Sequence, residues 1–227
     1  MFKLDSPFMN FMNKVGDIMI LNVMVILFSL PIVTAGASIT AGYYIAYKMT
    51  KDEESYIIRG FWKAFKENFK QSTLIWLIML VMLVVIFGDF WIVFYSGMQF
   101  GKVLSVAVVV VSAIMMMGLV YMLPMQARFS NTIKNIIKNS FLMSISHLPS
   151  TILFIVLFAV PFLLLYLVPQ SVPIILLFAA GGLIFLKSFL YLRIFKKYEP
   201  ADGEKNDDEQ DSGIFAGSDE LEANLKK

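Results

Sequence analysis

Asp89, Lys187, His147, Asn22 and Gln126 carry the side chains that could do chemistry inside otherwise apolar stretches of this sequence. An ionisable residue within an apolar span is costly, and so marks a functional position by default. Asp89 lies eighteen residues past Gln71, about 27 Å along a helix. That places it near an outer membrane interface, where a carboxylate stays hydrated. Lys187, six residues before Arg193, can snorkel to the opposite surface. His147 sits between Ser146 and Leu148-Pro149 and reads as locally hydrogen-bonded rather than catalytic. Asn22 and Gln126 suit bridges between helices. Beside Asp89, the aromatic residues Trp91 and Tyr95 form a candidate outer sugar contact, although a belt of aromatics is expected at any interface.

These residues do not assemble into a reaction centre. There is no cysteine and a single histidine, which removes thiolate chemistry and leaves no material for a histidine metal site. No Ser-His-Asp set, HExxH, Walker loop or suitably spaced carboxylate pair occurs. The expectation is a non-enzyme without cofactor or metal.

What must position these residues is a membrane domain. Of 227 residues, 58% are apolar and 16% charged, against about 45–50% and about 25% in soluble domains. The mean hydropathy is +0.73. A span needs about 20 apolar residues, and the uncharged runs accommodate five, near 18–38, 73–94, 103–125, 151–168 and 174–192. Pro169-Gln170-Ser171-Val172-Pro173 divides the last two. The first run, Ile18 to Tyr47, is too long for one crossing. It contains Pro31 followed by Thr34-Ala35-Gly36-Ala37-Ser38. Either a kinked helix projects its last turns into the interface around Tyr43, Tyr44 and Tyr47, or a broken, partly re-entrant segment lines a cavity. On the second reading Asn22, Pro31, Thr34 and Gly36 would line a path.

Lysine and arginine set the orientation. Residues 48–70, 128–138 and 193–197 are basic, while the loops near 95–102 and 168–173 hold Lys102 alone. In a five-span chain all three basic segments face the cytoplasm, which puts the C-terminus inside and the N-terminus outside. Two of these segments are amphipathic. Ile58, Phe61, Trp62, Phe65 and Phe69 share one face, and Arg59, Lys63, Lys66 and Lys70 the other. Phe129, Ile133, Ile136, Ile137 and Phe141 likewise oppose Asn131, Lys134, Asn135 and Lys138. The fold class expected is therefore all-α and polytopic, with about five transmembrane helices and amphipathic interfacial helices before spans two and four. The six cations Arg59, Lys63, Lys66, Lys70, Lys134 and Lys138 are candidate partner-docking residues, for anionic lipid or for a protein.

Three segments follow: an amphipathic N-terminal helix at 1–17, the five-span domain at 18–198, and an acidic tail at 199–227. Ser6 can cap the first helix and Pro7 suits its first turn. The tail holds ten acidic residues and three lysines, a balance of −7, leaving +9 on the rest. With so little apolar content it is expected to be disordered and cytoplasmic.

Asn22 with Leu30-Pro31-Ile32-Val33-Thr34-Ala35-Gly36-Ala37, then Arg59-Gly60-Phe61 with Phe65 and Asn68-Phe69-Lys70-Gln71, then Asn139-Ser140-Phe141 leading to Leu148-Pro149-Ser150-Thr151, resemble in order and spacing the YesL-like family of small integral membrane proteins, found mostly in Firmicutes. The likeness covers roughly 5–195. The family has no settled activity and no catalytic residues to carry over. Its genes commonly neighbour those of ABC importers for oligosaccharides and sometimes a sensor kinase. The resemblance thus implies an accessory or scaffold subunit of a carbohydrate ABC importer in the cell membrane, with permease subunits or a membrane sensor kinase as partners. Alternatives from the same reading are a stand-alone small-solute transporter or channel, which at five spans calls for a homo-oligomer, and a component of sugar-responsive signalling. No nucleic-acid partner is expected. Ile145-Ser146-His147-Leu148-Pro149 echoes the end of the permease coupling loop, but its acidic-Ala-Ala start and central glycine are missing, so direct docking of an ATPase subunit is not implied.

Overall fold

Proline and small residues decide where the first apolar run breaks. A computed structural model describes residues 7–51, 56–95 and 101–198. In it α1 (Pro7–Ser29) ends just before Leu30 and Pro31, a 3-10 turn covers Ile32–Thr34, and α2 (Ala35–Thr50) follows. Pro31 cannot donate to the helical ladder and takes an extended backbone at φ −75°, ψ 117°. Thr34 Oγ1 then donates to Phe28 O at 2.7 Å, pairing a carbonyl of α1's last turn that the helix leaves open. Four further long helices are α3 (Ile57–Tyr95), α4 (Lys102–Gln126), α6 (Leu148–Leu167) and α7 (Val172–Phe195), with the shorter α5 (Ile133–Ser146) between α4 and α6. The described residues contain no strand, and five helices are long and apolar enough to cross a membrane: α1, α3, α4, α6 and α7. The all-α, polytopic class is thereby shown. Residues 1–6, most of the 95–102 loop and the acidic tail 199–227 lie outside the described residues.

α2 is the part of the first run that the sequence left open. It turns back on α1, with Ser38 Oγ donating to Val25 O at 2.9 Å. It then lies antiparallel along the first half of α3, Gly36 against Ser72 and Trp76 and Ile45 against Gly60. Twelve of its sixteen residues are buried. Tyr43 and Tyr47, expected to project into the interface, are instead in the core. Its run of Ala, Gly and Ser positions lets three helices close around it, and the two tyrosine rings fill the space further along. Tyr43 meets Tyr191 edge-on at 5.6 Å and Tyr47 meets Phe195 at 6.4 Å.

α3 has 39 residues, about 58 Å of helix, well beyond the ~30 Å hydrocarbon core. The amphipathic helix before span two is thus the uninterrupted N-terminal extension of that span. Its aromatic face divides: Phe61 and Phe65 are buried under Phe28 of α1, with ring centroids 5.6 and 5.1 Å away. Ile58 and Trp62 remain exposed.

α4 carries Pro124 near its end. A proline there leaves the carbonyl four residues earlier without its helical donor, and Tyr191 of α7 supplies one. Tyr47 Oη in turn donates to Pro124 O at 3.0 Å. Hydroxyls from α2 and α7 therefore stitch the end of α4 into the bundle. α5 is capped by Thr132, whose side chain accepts from Asn135 N at 3.4 Å. Ile136 is buried against α3 and α4, Ile133, Ile137 and Phe141 pack beside it, and Lys134, Asn135 and Lys138 face outward as their spacing predicts.

Candidate functional site

The helices that meet at the basic end of the bundle hold two rows of cations on a rigid base. Along α3, Ile57, Phe61, Ala64, Phe65 and Asn68 are buried while Arg59, Lys63, Lys66 and Lys70 are exposed. The 3.6-residue period turns one face into core and leaves the other as a cationic edge. Lys66 Nζ sits 4.8 Å over the Trp62 ring, an attraction worth about 0.5–1 kcal/mol at an exposed site. Lys63 lies 4.0 Å from Glu67, an exposed pair that does little for stability. Lys134 and Lys138 form the second row on α5.

Amide side chains join the rows. Gln71 Nε2 donates to Asn131 O, tying α3 to the turn before α5. Asn131 Oδ1 accepts from Thr132 N at 2.8 Å and from Asn135 Nδ2 at 2.9 Å. Under this junction is a cleft of about 680 Å³ lined by Asn68, Gln71, Gln126, Ser130, Asn131, Thr132 and Ile133. Gln126 Nε2 reaches Asn68 Oδ1 at 3.4 Å, and its Oε1 is buried without a hydrogen-bond partner. A second cleft, about 350 Å³, runs from Asn131 past Asn139 and Ser146 to Tyr198. Tyr198 Oη lies 3.0 Å from His147 Nε2, so the histidine is engaged locally. Such a surface can bind an anionic or acidic partner by charge, and a polar main chain by its amides. Among the described residues no group of three or more His, Asp or Glu side chains is placed to hold a metal.

The other candidate sets fare differently. Asn22 is fully buried; its Nδ2 donates to Leu176 O at 2.8 Å and its Oδ1 accepts from Gly181 N at 2.9 Å. Thr34 closes the 3-10 turn that Pro31 opens, and Gly36 is the close approach of α2 to α3. Asn22, Thr34 and Gly36 thus make contacts within and between helices, while Pro31 is exposed at the turn. On the outer side Trp91 and Tyr95 stack at 5.3 Å and border an apolar groove of about 530 Å³ between α3 and α4. Asp89, half-buried, is not among the residues lining it, so the carboxylate and the rings do not converge as a sugar site would need. Lys187 does not snorkel to the surface. It is 7% exposed, with Nζ 5.4 Å over the Phe158 ring of α6, because the turn that carries it faces α6.

Sequence reasoning missed the amide cleft. The available signal was the density of Ser130, Asn131, Thr132, Asn135 and Asn139 beside a basic helix; their meeting with Gln71, sixty residues away, was not legible.

The family model DUF624, a protein of unknown function, matches residues 18–90 of the chain. DUF624 is the family that includes YesL-like proteins. The DUF624 segment takes in α1 from Ile18, all of α2, and α3 as far as Phe90. The buried helix α2 and the row Arg59–Lys70 therefore lie within it, while α5 does not. No curated protein and no solved structure matches the chain.

Proposed function

We propose that this protein is a non-enzymatic membrane scaffold whose basic face docks an acidic cytoplasmic surface of another membrane component. The observation that carries the reading is the division of α3: Phe61, Ala64, Phe65 and Asn68 lock its first half into the core while Arg59, Lys63, Lys66 and Lys70 stand exposed on the same turns. Fixed cations lose less on binding than mobile ones, because the backbone that carries them is already ordered. The concentration of lysine and arginine at this end supports a cytoplasmic orientation, with the end of α7 inside. Because α2 turns back on α1 and runs antiparallel to α3, α1 runs the same way as α3, and its N-terminus falls on the basic side together with the end of α7.

The partner class rests on the YesL-like resemblance: the permease subunits of a carbohydrate ABC importer, or a membrane sensor kinase. A carrier reading has less support, because Asn22, Thr34 and Gly36 are engaged in packing. The test is a mild-detergent pull-down from native membranes through an N-terminal tag, read by mass spectrometry. Stoichiometric recovery of permease subunits is expected. Recovery of this chain alone would contradict the reading, and flux of labelled oligosaccharides into proteoliposomes would then revive the carrier.

A further inference from the structure

Gln126 brings an incomplete set of hydrogen bonds to the cleft between α3, the end of α4 and the turn before α5. Its amide orientation is set by a chain that starts on the backbone. Asn68 Nδ2 donates to Ala64 O at 3.1 Å, which presents Asn68 Oδ1 to Gln126 as an acceptor. Gln126 Nε2 meets it at 3.4 Å. The other arm of that amide, Oε1, is buried without a partner in a side chain only 2% exposed. Reversing either amide would set oxygen against oxygen. The open group is therefore an acceptor, and an O–H or N–H donor completes it. Gln71 has its Nε2 committed to Asn131 O, so it too offers a carbonyl oxygen, while Ser130 and Thr132 add exposed hydroxyls. Among the described residues, none that lines the cleft is charged. Such a lining suits an uncharged group with adjacent hydroxyls, which donate to amide oxygens and accept from Ser130 and Thr132.

The depth of the cleft says where such a group comes from. α3 carries no charged residue from Gln71 to Gly88, and α4 none from Val103 to Gln126. The first of these runs measures about 27 Å, close to the ~30 Å hydrocarbon core. Gln71 and Gln126 stand at the basic ends of the two runs, so the cleft lies at the level of the lipid headgroups. Lys70 and Lys134 are next in sequence to the lining residues Gln71 and Ile133, and both are exposed outside the lining. Residues 1–198 carry a balance of +9. That field favours a phosphate at the mouth over an ammonium group. We propose that the cleft holds the glycerol headgroup of an anionic phospholipid from the leaflet at the basic end. One headgroup hydroxyl donates to Gln126 Oε1, and the phosphodiester stays outside among the lipid headgroups. A volume of about 680 Å³ is within the range of small-molecule sites. The site is separate from the exposed face of α3 and does not depend on the docking reading.

Phosphatidylglycerol and phosphatidylethanol carry the same charge, and only the first has headgroup hydroxyls, so the two together test the site. The full-length protein is placed in phosphatidylcholine nanodiscs with equal small amounts of both, and the lipids it retains are counted by native mass spectrometry. About fivefold more phosphatidylglycerol than phosphatidylethanol is expected, the scale of one net hydrogen bond. Gln126→Met, an apolar chain of similar length, should bring the ratio to about one. Asn139→Ala, in the neighbouring cleft, should leave it unchanged. Equal retention of the two lipids by the unaltered protein would overturn the proposal: abundant retention would mean attraction by charge alone, and none would mean that water completes Gln126. A ratio indifferent to Gln126→Met, or one abolished by Asn139→Ala, would overturn it as well. Glycerophosphoglycerol, the same headgroup without chains, should bind far more weakly in pure phosphatidylcholine discs; equal binding would overturn the lipid source. The lipid comparison uses the unaltered protein, so it stands even where Gln126→Met fails to fold.

Discussion

Tyr191 donates its hydroxyl to the main-chain oxygen of Val120 at 2.8 Å, and Val120 is the residue whose carbonyl Pro124 deprives of a helical donor. A break in one helix is thereby mended from another, inside a cluster where Tyr191 stacks on Phe154 at 4.0 Å and meets Tyr121 edge-on at 5.5 Å. Tyr191→Phe keeps the rings and strands the carbonyl. An unsatisfied buried acceptor costs about 1–3 kcal/mol, so the apparent Tm in nanodiscs should fall by several degrees. An unchanged Tm would mean that Val120 O finds another donor.

Gly36 is where α2 touches α3. A methyl group there would lie 2.8 Å from Ser72 O and overlap the Trp76 side chain. Gly36→Ala should destabilise by about 1–3 kcal/mol, the usual cost of overpacking. Gly16→Ala, with nothing within 4 Å of the added carbon, should be neutral or raise stability by up to about 1 kcal/mol. Thermal unfolding of the two variants side by side checks both; equal losses would contradict the close approach.

Asn22 joins α1 to α7 through Leu176 O and Gly181 N. Asn22→Leu should cost about 1–2 kcal/mol, the scale of polar contacts between membrane helices, and leave partner recovery per folded molecule unchanged. Loss of recovery with full stability would instead place Asn22 on a functional path.

Lys187 has an aromatic ring over its ammonium group and otherwise apolar surroundings on α6. Lys187→Met keeps the length of the side chain and removes a buried charge, so stability should rise or hold. A loss above about 1 kcal/mol in urea or thermal unfolding would show that the cation has an anionic partner.

The sequence made some of this legible for identifiable reasons. Ile133, Ile136, Ile137 and Phe141 recur at helical spacing, and the face they define is the one that packs in α5. The break near Pro31 follows from a missing N–H. The depth of Tyr43 and Tyr47 was not readable, because an aromatic residue after a small-residue run suits an interface as well as a core, and only the arrival of α7 decides between them. The continuity of α3 was equally hidden: a change from amphipathic to wholly apolar sequence marks a change of surroundings and does not require a break in the helix. At the site, the exposed cations were visible by period, whereas the amide groove depends on Gln71 meeting Asn131 across the fold.

The measurement that bears most directly on the docking account is partner recovery in the charge-reversed variant Lys63→Glu, Lys66→Glu, Lys70→Glu, compared with the unaltered protein at equal folded amounts. These side chains are exposed, so the Tm should stay within a few degrees, while recovery of the co-purifying membrane subunits should fall about tenfold or more, as like charges replace opposite ones. Undiminished recovery from a folded triple variant would contradict the claim that this face is where the protein binds.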